Sequence, residues 1–436
     1  MSKPHRLRPP RNDLVDALVL EVHGLVHDQG WLADRALERV LRRERKLWAN
    51  ERRTVAEAVY GILRSQGQLD WLLGGKPDLA TRYAAWLVRT GGATVPEAAR
   101  RVAVQASALA GLEGGDARIA AIADPMEKLA VEASLPRWIV ERLVAERGEE
   151  EARALAKVVN ARAPLTVRAN LLVNDREKLR ARLAEEGVGA EPTRFSPWGL
   201  VLDGHQNAFA LASFQDGGFE IQDEGSQLIA LACGARPGKL VVDACSGAGG
   251  KALALAAEMH NKGDLFALDS DPGRLDEGKR RARRAHVHNL RTRPVPAGPE
   301  AAAAIADLEG RADVVLVDAP CSGLGTLRRK PDARWRLKPD DPERFAVLQK
   351  ELLGRFAALV KPGGRLVYAT CAMGRTENAD VAEHAEKVLG LLPAPLAPLL
   401  GAERAAALGV EGNRLELFPH KHGTDGFFMA AFTRPK

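Results

Sequence analysis

Leu240-Val241-Val242-Asp243-Ala244-Cys245-Ser246-Gly247-Ala248-Gly249-Gly250-Lys251, followed by Ala252-Leu253-Ala254-Leu255-Ala256-Ala257, is the stretch on which the fold turns. A short apolar run of strand length meets a glycine-rich turn, and an apolar helical segment follows. Strand, glycine turn and helix make a ligand cradle. The glycines let backbone N–H groups approach, and the helix N-terminus favours a carboxylate or phosphate. The next strand, over 264–268, ends at Asp269, where an acid is placed to accept hydrogen bonds from ribose hydroxyls. At this point NAD and S-adenosylmethionine both remain admissible.

Downstream, strands over 314–317, 365–369 and 426–433 alternate with helices. Alternation of this kind predicts βαβ units and a mostly parallel sheet with helices on both faces. Asp318-Ala319-Pro320-Cys321-Ser322-Gly323 follows the strand at 314–317, and Ala369-Thr370-Cys371 closes the strand at 365–369. The carboxyl edge of an open α/β sheet is where ligands bind, so two thiols and a carboxylate converge beside the cofactor. A single cysteine is more often a small buried hydrophobe. Two at equivalent strand ends are hard to obtain from packing alone. Cys233, on a helix before Gly234, reads as packing.

Upstream, residues to about 120 read as helix. Asn12-Asp13-Leu14 offers an N-cap ahead of Leu14, Ala17, Leu18 and Val22. The pattern repeats over 33–47 and 53–63. Gly74-Gly75-Lys76-Pro77 is a helix stop, and the glycine-rich run 111–116 reads as the start of a linker. A small α+β unit follows, with a helix opening at Leu135-Pro136-Arg137-Trp138, strands over 166–171 and 199–202 and a helix over 176–187.

The chain has 436 residues, 46% hydrophobic and 28% charged, with four cysteines and no CxxC pair. That profile excludes chain-wide disorder, a membrane span and a disulfide scaffold, and it leads us to expect a reducing, cytoplasmic setting. The charge balance, 63 basic against 57 acidic residues, is mild. The basic residues cluster, however. Lys3, Arg6, Arg8 and Arg11 precede any acid. Lys279, Arg280, Arg281, Arg283, Arg284, Arg291 and Arg293 fall in an acid-free stretch. Arg328, Arg329, Lys330, Arg334 and Arg336 surround Trp335. One such cluster is usually a solvated face, whereas three point to a polyanion such as RNA. Trp335 is equally suited to stacking on a base or to anchoring its loop.

The motifs at 243–251 (DACSGAGGK), 318–335 (DAPCSGLGTLRRKPDARW) and 368–378 (YATCAMGRTEN) resemble those of the NOL1/NOP2/Sun family of RNA cytosine-C5 methyltransferases. HGTDGFFMAAF at 422–432 resembles the family's last strand, and FEIQDEGSQL at 219–228 its lead-in helix. The helical front, with AEAVYGILR at 56–64 and Leu69-Asp70, is similar to the RNA-binding antitermination factor NusB. The resemblance implies three domains: 1–125 NusB-like and RNA-binding, 126–218 a small α+β, RRM-like subdomain, and 219–436 a Rossmann-like methyltransferase domain. It implies S-adenosylmethionine held by Cys245, Ser246, Gly247, Ala248, Gly249, Gly250, Lys251, Asp269 and Asp318, and no metal. Cys371 is then the nucleophile at cytosine C6. Cys321 assists loss of the C5 proton and enzyme release, Asp318 is a general acid at the N3/N4 edge, and Lys251 lowers a thiol pKa. The implied substrate is small-subunit 16S ribosomal RNA and the implied state a monomer. The competing readings are a transfer-RNA cytosine methyltransferase and a non-catalytic ribosome-assembly factor. Three positions depart from the family pattern. Ala248 stands for the usual Pro, Ala252 for Thr, and Pro296 falls where an acid usually contacts the adenine.

Overall fold

Val15, Leu18, Val19, Val22 and Val26 recur at helical spacing on the helix Asn12–His27 and are all buried. They join a core built from the helices Ala33–Arg43, Ala49–Leu72, Leu79–Arg89 and Val95–Arg101. The computed structural model describes residues 11–204, 207–298 and 300–436. Its contacts divide the chain into two units: the described part of Met1–Ala161 with Leu327–Pro339, and Arg162–Thr326 with Asp340–Lys436.

The helical unit differs from expectation in several places. Asn12 is the first helical residue rather than the cap, and Arg11 at the cap makes no side-chain capping bond. The helix expected over 33–47 ends at Arg43, and the segment 53–63 lies inside one long helix. The run 111–116 is no linker. It joins the short helices Ala106–Leu112 and Gly115–Ala120, whose Leu109, Leu112 and Ile119 belong to the core, across a two-residue turn. Helices continue through Pro125–Ala133, Arg137–Arg147 and Glu149–Val158. Helical packing therefore runs past the expected boundary at 125.

The second unit opens with strands β1 (Leu165–Ala169), β2 (Ala190–Pro192), β3 (Gly199–Leu202) and β4 (Phe219–Ile221), in antiparallel order β2-β3-β1-β4. The stretch that resembles a lead-in helix thus starts as strand β4, and its helix is Glu224–Cys233. The larger sheet contains β5 (Lys239–Asp243), β6 (Gly263–Asp269), β7 (Leu290–Pro294), β8 (Ala312–Asp318), β9 (Val360–Thr370), β10 (Leu392–Pro393), β11 (Arg414–Leu417) and β12 (Phe427–Thr433). Its order is β10-β12-β9-β8-β5-β6-β7, with β11 on β12. Strands β5 to β9 pair in parallel, while β12 runs antiparallel to β9. Apolar residues from both faces of β5, β6, β8 and β9 enter two separate cores, as expected for a sheet covered by helices on both sides. The chain leaves β5 in one direction, to β6 and β7, and returns on its other side as β8 and β9. The topological switch therefore falls between β5 and β8, at whose carboxyl ends sheets of this kind bind ligands.

Candidate active site

The turn after β5 is built on two glycines with left-handed φ, Gly247 (+55°) and Gly249 (+82°), where a side chain would be strained. The Ser246 N–H donates to the Leu268 carbonyl (2.8 Å), and the Gly249 N–H donates to Ser246 O (2.9 Å). Asp269 at the end of β6 accepts the Gly247 N–H (2.8 Å) and the Asp271 N–H (2.9 Å). The helix Gly250–Glu258 starts directly after the turn.

Two arginines grip this turn from behind. Arg168 of β1 donates to Gly250 O (2.9 Å), and Arg281 donates to Ala248 O (2.8 Å). Arg168 is fully buried and also bonded to Gln222. Burial pulls its guanidinium down to about 10. Arg281 and Arg284 both pair with the buried Glu220 of β4. The small sheet is thus part of the cradle's support. The spacing of residues 166–169 gave no hint of an inward-facing arginine.

Lys251 reaches Asp318 at 2.6 Å. Burial alone would lower its ammonium, but Asp318, Asp243 and the charge of Cys371 raise it. Asp318 is level with Ala369 across the β8–β9 register, so the two cysteine loops leave neighbouring strand ends together. The Cys321 and Cys371 sulfurs are 3.3 Å apart. The Cys321 thiol is pushed well up by its hydrogen bond to Cys371, by burial and by nearby negative charge. Lys251 therefore spends its ammonium on Asp318 and faces Cys371 electrostatically, while Cys321 does not become an easily ionised thiol. Cys245 lies half-buried in the turn, its thiol likewise raised by burial. Behind them Asp243 is fully buried, and its carboxyl is pushed up to about 7 by burial and by the charge of Asp318.

The basic clusters split. Lys3, Arg6 and Arg8 lie outside the described residues, and Arg11 pairs with Glu51 at 2.7 Å. In the second cluster Arg281 and Arg284 face Glu220, and Arg293 pairs with Asp307. In the third, Arg328 and Arg334 are buried, and Arg334 donates to Asn160 Oδ1 (2.7 Å) and Ser134 O (3.1 Å). These arginines hold the fold, which corrects the reading of whole clusters as polyanion surface. Trp335 is an anchor, its indole N–H donating to Leu63 O at 2.7 Å within the helical unit. Pro296 is exposed just past β7 and offers neither carboxylate nor N–H. Cys233 is buried in the core, and His422 Nδ1 accepts the Phe418 N–H (2.9 Å). Among the described residues no group of acidic, His or Cys side chains has a metal-holding arrangement, and no helix is long and apolar enough to cross a membrane.

Residues 230–433 match the family described as 16S rRNA methyltransferase RsmB/F, and residues 135–208 match its RsmF/B-like ferredoxin-like domain. A probable ribosomal RNA small subunit methyltransferase B of Bacillus subtilis is 33% identical over 416 residues, covering 87% of this chain and 90% of that one. Its counterpart in Synechocystis is 30% identical over 431 residues, covering 91% and 94%. Among solved structures, PH0851 superposes with a TM-score of 0.77 at 26% identity, covering 99% of this chain and 100% of that one. A methyltransferase homologue from Pyrococcus horikoshii gives 0.60 at 26% identity, covering 72% and 100%.

Proposed function

Because the chain belongs to the 16S rRNA methyltransferase RsmB/F family, we propose that it methylates cytosine C5 of small-subunit 16S ribosomal RNA, with Cys371 as nucleophile and S-adenosylmethionine as cofactor. The observation that carries this reading is the thiol pair, Cys321 and Cys371 at 3.3 Å, on strand ends next to the Lys251–Asp318 pair.

The residues of the cradle suit S-adenosylmethionine. Asp269 keeps acceptor capacity for ribose hydroxyls beside its two backbone bonds. The space where a Gly247 Cβ would stand is open, and the start of the Gly250–Glu258 helix favours a carboxylate. Residues 245–251, with Asp269 and Asp318, are the holding set. When bound, the cofactor supplies a methyl group on a positively charged sulfur.

Cytosine C5 is a poor nucleophile, and a thiolate adding at C6 enriches it. Burial, the contact with Cys371 and nearby negative charge raise the Cys321 thiol, which suits Cys321 to hold a proton while Cys371 attacks. Lys251 and Asp318 act at the N3/N4 edge of the base, where a proton is needed as charge develops on the ring. Cys321 then assists loss of the C5 proton and release of Cys371. The helical unit, with its likeness to NusB, serves RNA binding, and the protein acts as a cytoplasmic monomer.

The test is methylation of a 16S transcript, read by bisulfite sequencing. Cys371→Ala should abolish both product and covalent adduct. Cys321→Ala should accumulate a denaturation-resistant protein–RNA adduct in the presence of S-adenosylmethionine. Full turnover by Cys371→Ala would remove it as the nucleophile.

A further inference from the structure

Glu377 and Asn378 stand six and seven residues after Cys371, and both are fully buried. Glu377 Oε1 accepts the Ser322 N–H (2.8 Å) and the Gln349 Nε2–H (3.2 Å). Gln349 Nε2 also donates to Pro320 O (2.9 Å). The backbone on both sides of Cys321 is therefore held by one carboxylate–carboxamide pair. Asn378 does the same for the other loop. Its Nδ2–H donates to Ala372 O (3.2 Å), and its Oδ1 accepts from Thr370 Oγ1 (2.6 Å). The Thr370 hydroxyl oxygen in turn accepts the Ala372 N–H (3.3 Å). The Tyr368 hydroxyl donates to the Glu377 carbonyl (2.6 Å), which ties the dipeptide to β9. A direct bond, Gly325 N–H to Cys371 O (2.8 Å), completes the frame.

We propose that Glu377 and Asn378 are positioning residues that set the separation of the two thiols, Glu377 through the Cys321 loop and Asn378 through the Cys371 loop. The proposal rests on the catalytic reading of the two cysteines. Burying a carboxylate is costly unless its bonds are specific, and here they go to the turn whose placement decides reactivity. The charge of Glu377 also helps to keep Cys321 protonated.

Phenylarsine oxide tests the geometry without RNA. It condenses with two thiols, forming two As–S bonds while its oxygen leaves with the two thiol protons as water. The second bond closes quickly only when the sulfurs are already neighbours. The parent should take up one equivalent with loss of two titratable thiols, and Cys321→Ser should not bridge. Glu377→Ala and Asn378→Ala, checked for folding by circular dichroism, should bridge about a hundredfold more slowly. In methyl transfer they should lose kcat while keeping the affinities for S-adenosylmethionine and RNA. Glu377→Gln, whose amide oxygen still accepts the Ser322 N–H, should restore bridging. If the alanine variants do not fold, Gln349→Met, which removes only the donor to Pro320 O and Glu377, should slow bridging too. Parent-rate bridging in the folded variants, or no bridging in the parent, overturns the proposal. A parent that bridges in this 377- and 378-dependent way yet methylates no cytosine would overturn the proposed function and leave the positioning intact.

Discussion

Replacing Asp243 by Asn isolates a buried acid behind the cofactor turn. The side chain is fully buried, and neither carboxylate oxygen has a hydrogen-bond partner of good geometry; the Ala252 N–H offsets this only slightly. Its carboxyl rises from 3.8 to about 7, first through burial and then through the charge of Asp318. A carboxyl raised in the folded state favours folding below its unfolded pKa, and that contribution is lost as pH climbs through the folded value. The window is therefore about pH 4 to 7. At about 1.36 kcal/mol per pH unit, a span of about three units amounts to about 4 kcal/mol. Asn keeps the shape and cannot ionise. Relative to the Asp243→Asn variant, the parent should lose about 4 kcal/mol between pH 4 and pH 8, measured by urea unfolding followed with circular dichroism. Groups shared by both proteins, among them Glu258 with its carboxyl raised to about 8 by burial, cancel in the difference. Parallel stability curves for the two proteins across that range would refute the argument.

Asp269→Ala should weaken S-adenosylmethionine about tenfold to a hundredfold in calorimetric titration, with RNA affinity nearly unchanged. It removes the proposed ribose acceptor and frees the Gly247 N–H, and Pro296 has no carboxylate to replace it. Arg281→Gln should weaken the same ligand less, by releasing Ala248 O, and a variant that binds like the parent would remove it from the cradle's support. Trp335→Phe should cost about 1 kcal/mol of stability, since Leu63 O loses its donor. An unchanged stability with weaker RNA binding would restore the base-stacking role. If the helical unit binds phosphates, exchanging its exposed Arg42 and Arg53 for Ser should reduce the slope of log affinity against log salt by about 1 to 2.

Much of this protein is local and so readable along the chain. The strand–turn–helix at 239–258 needs only an apolar run, glycines and an apolar helix, and the structure forms it where its residues predict. The acids and thiols at the ends of β6, β8 and β9 were legible because a parallel sheet collects its strand ends at one edge. The short strands β2, β4, β7, β10 and β11 are not legible along the chain. Such strands are too short to stand out: Arg414–Leu417 alternates over only four residues, and the partner strand decides its pairing. Tertiary structure alone showed that Arg334 and Trp335, inside a basic run, belong to the helical core, because burial depends on what packs across from a residue and not on its neighbours in sequence. It also showed the grip of Arg168 and Arg281 on the turn, and the Glu377–Asn378 frame around the thiols. Such bonds join residues far apart in the chain. Composition and spacing fix which chemical groups are present and on which strand end they stand, while the distances between them, from which their protonation follows, exist only once the sheet has closed.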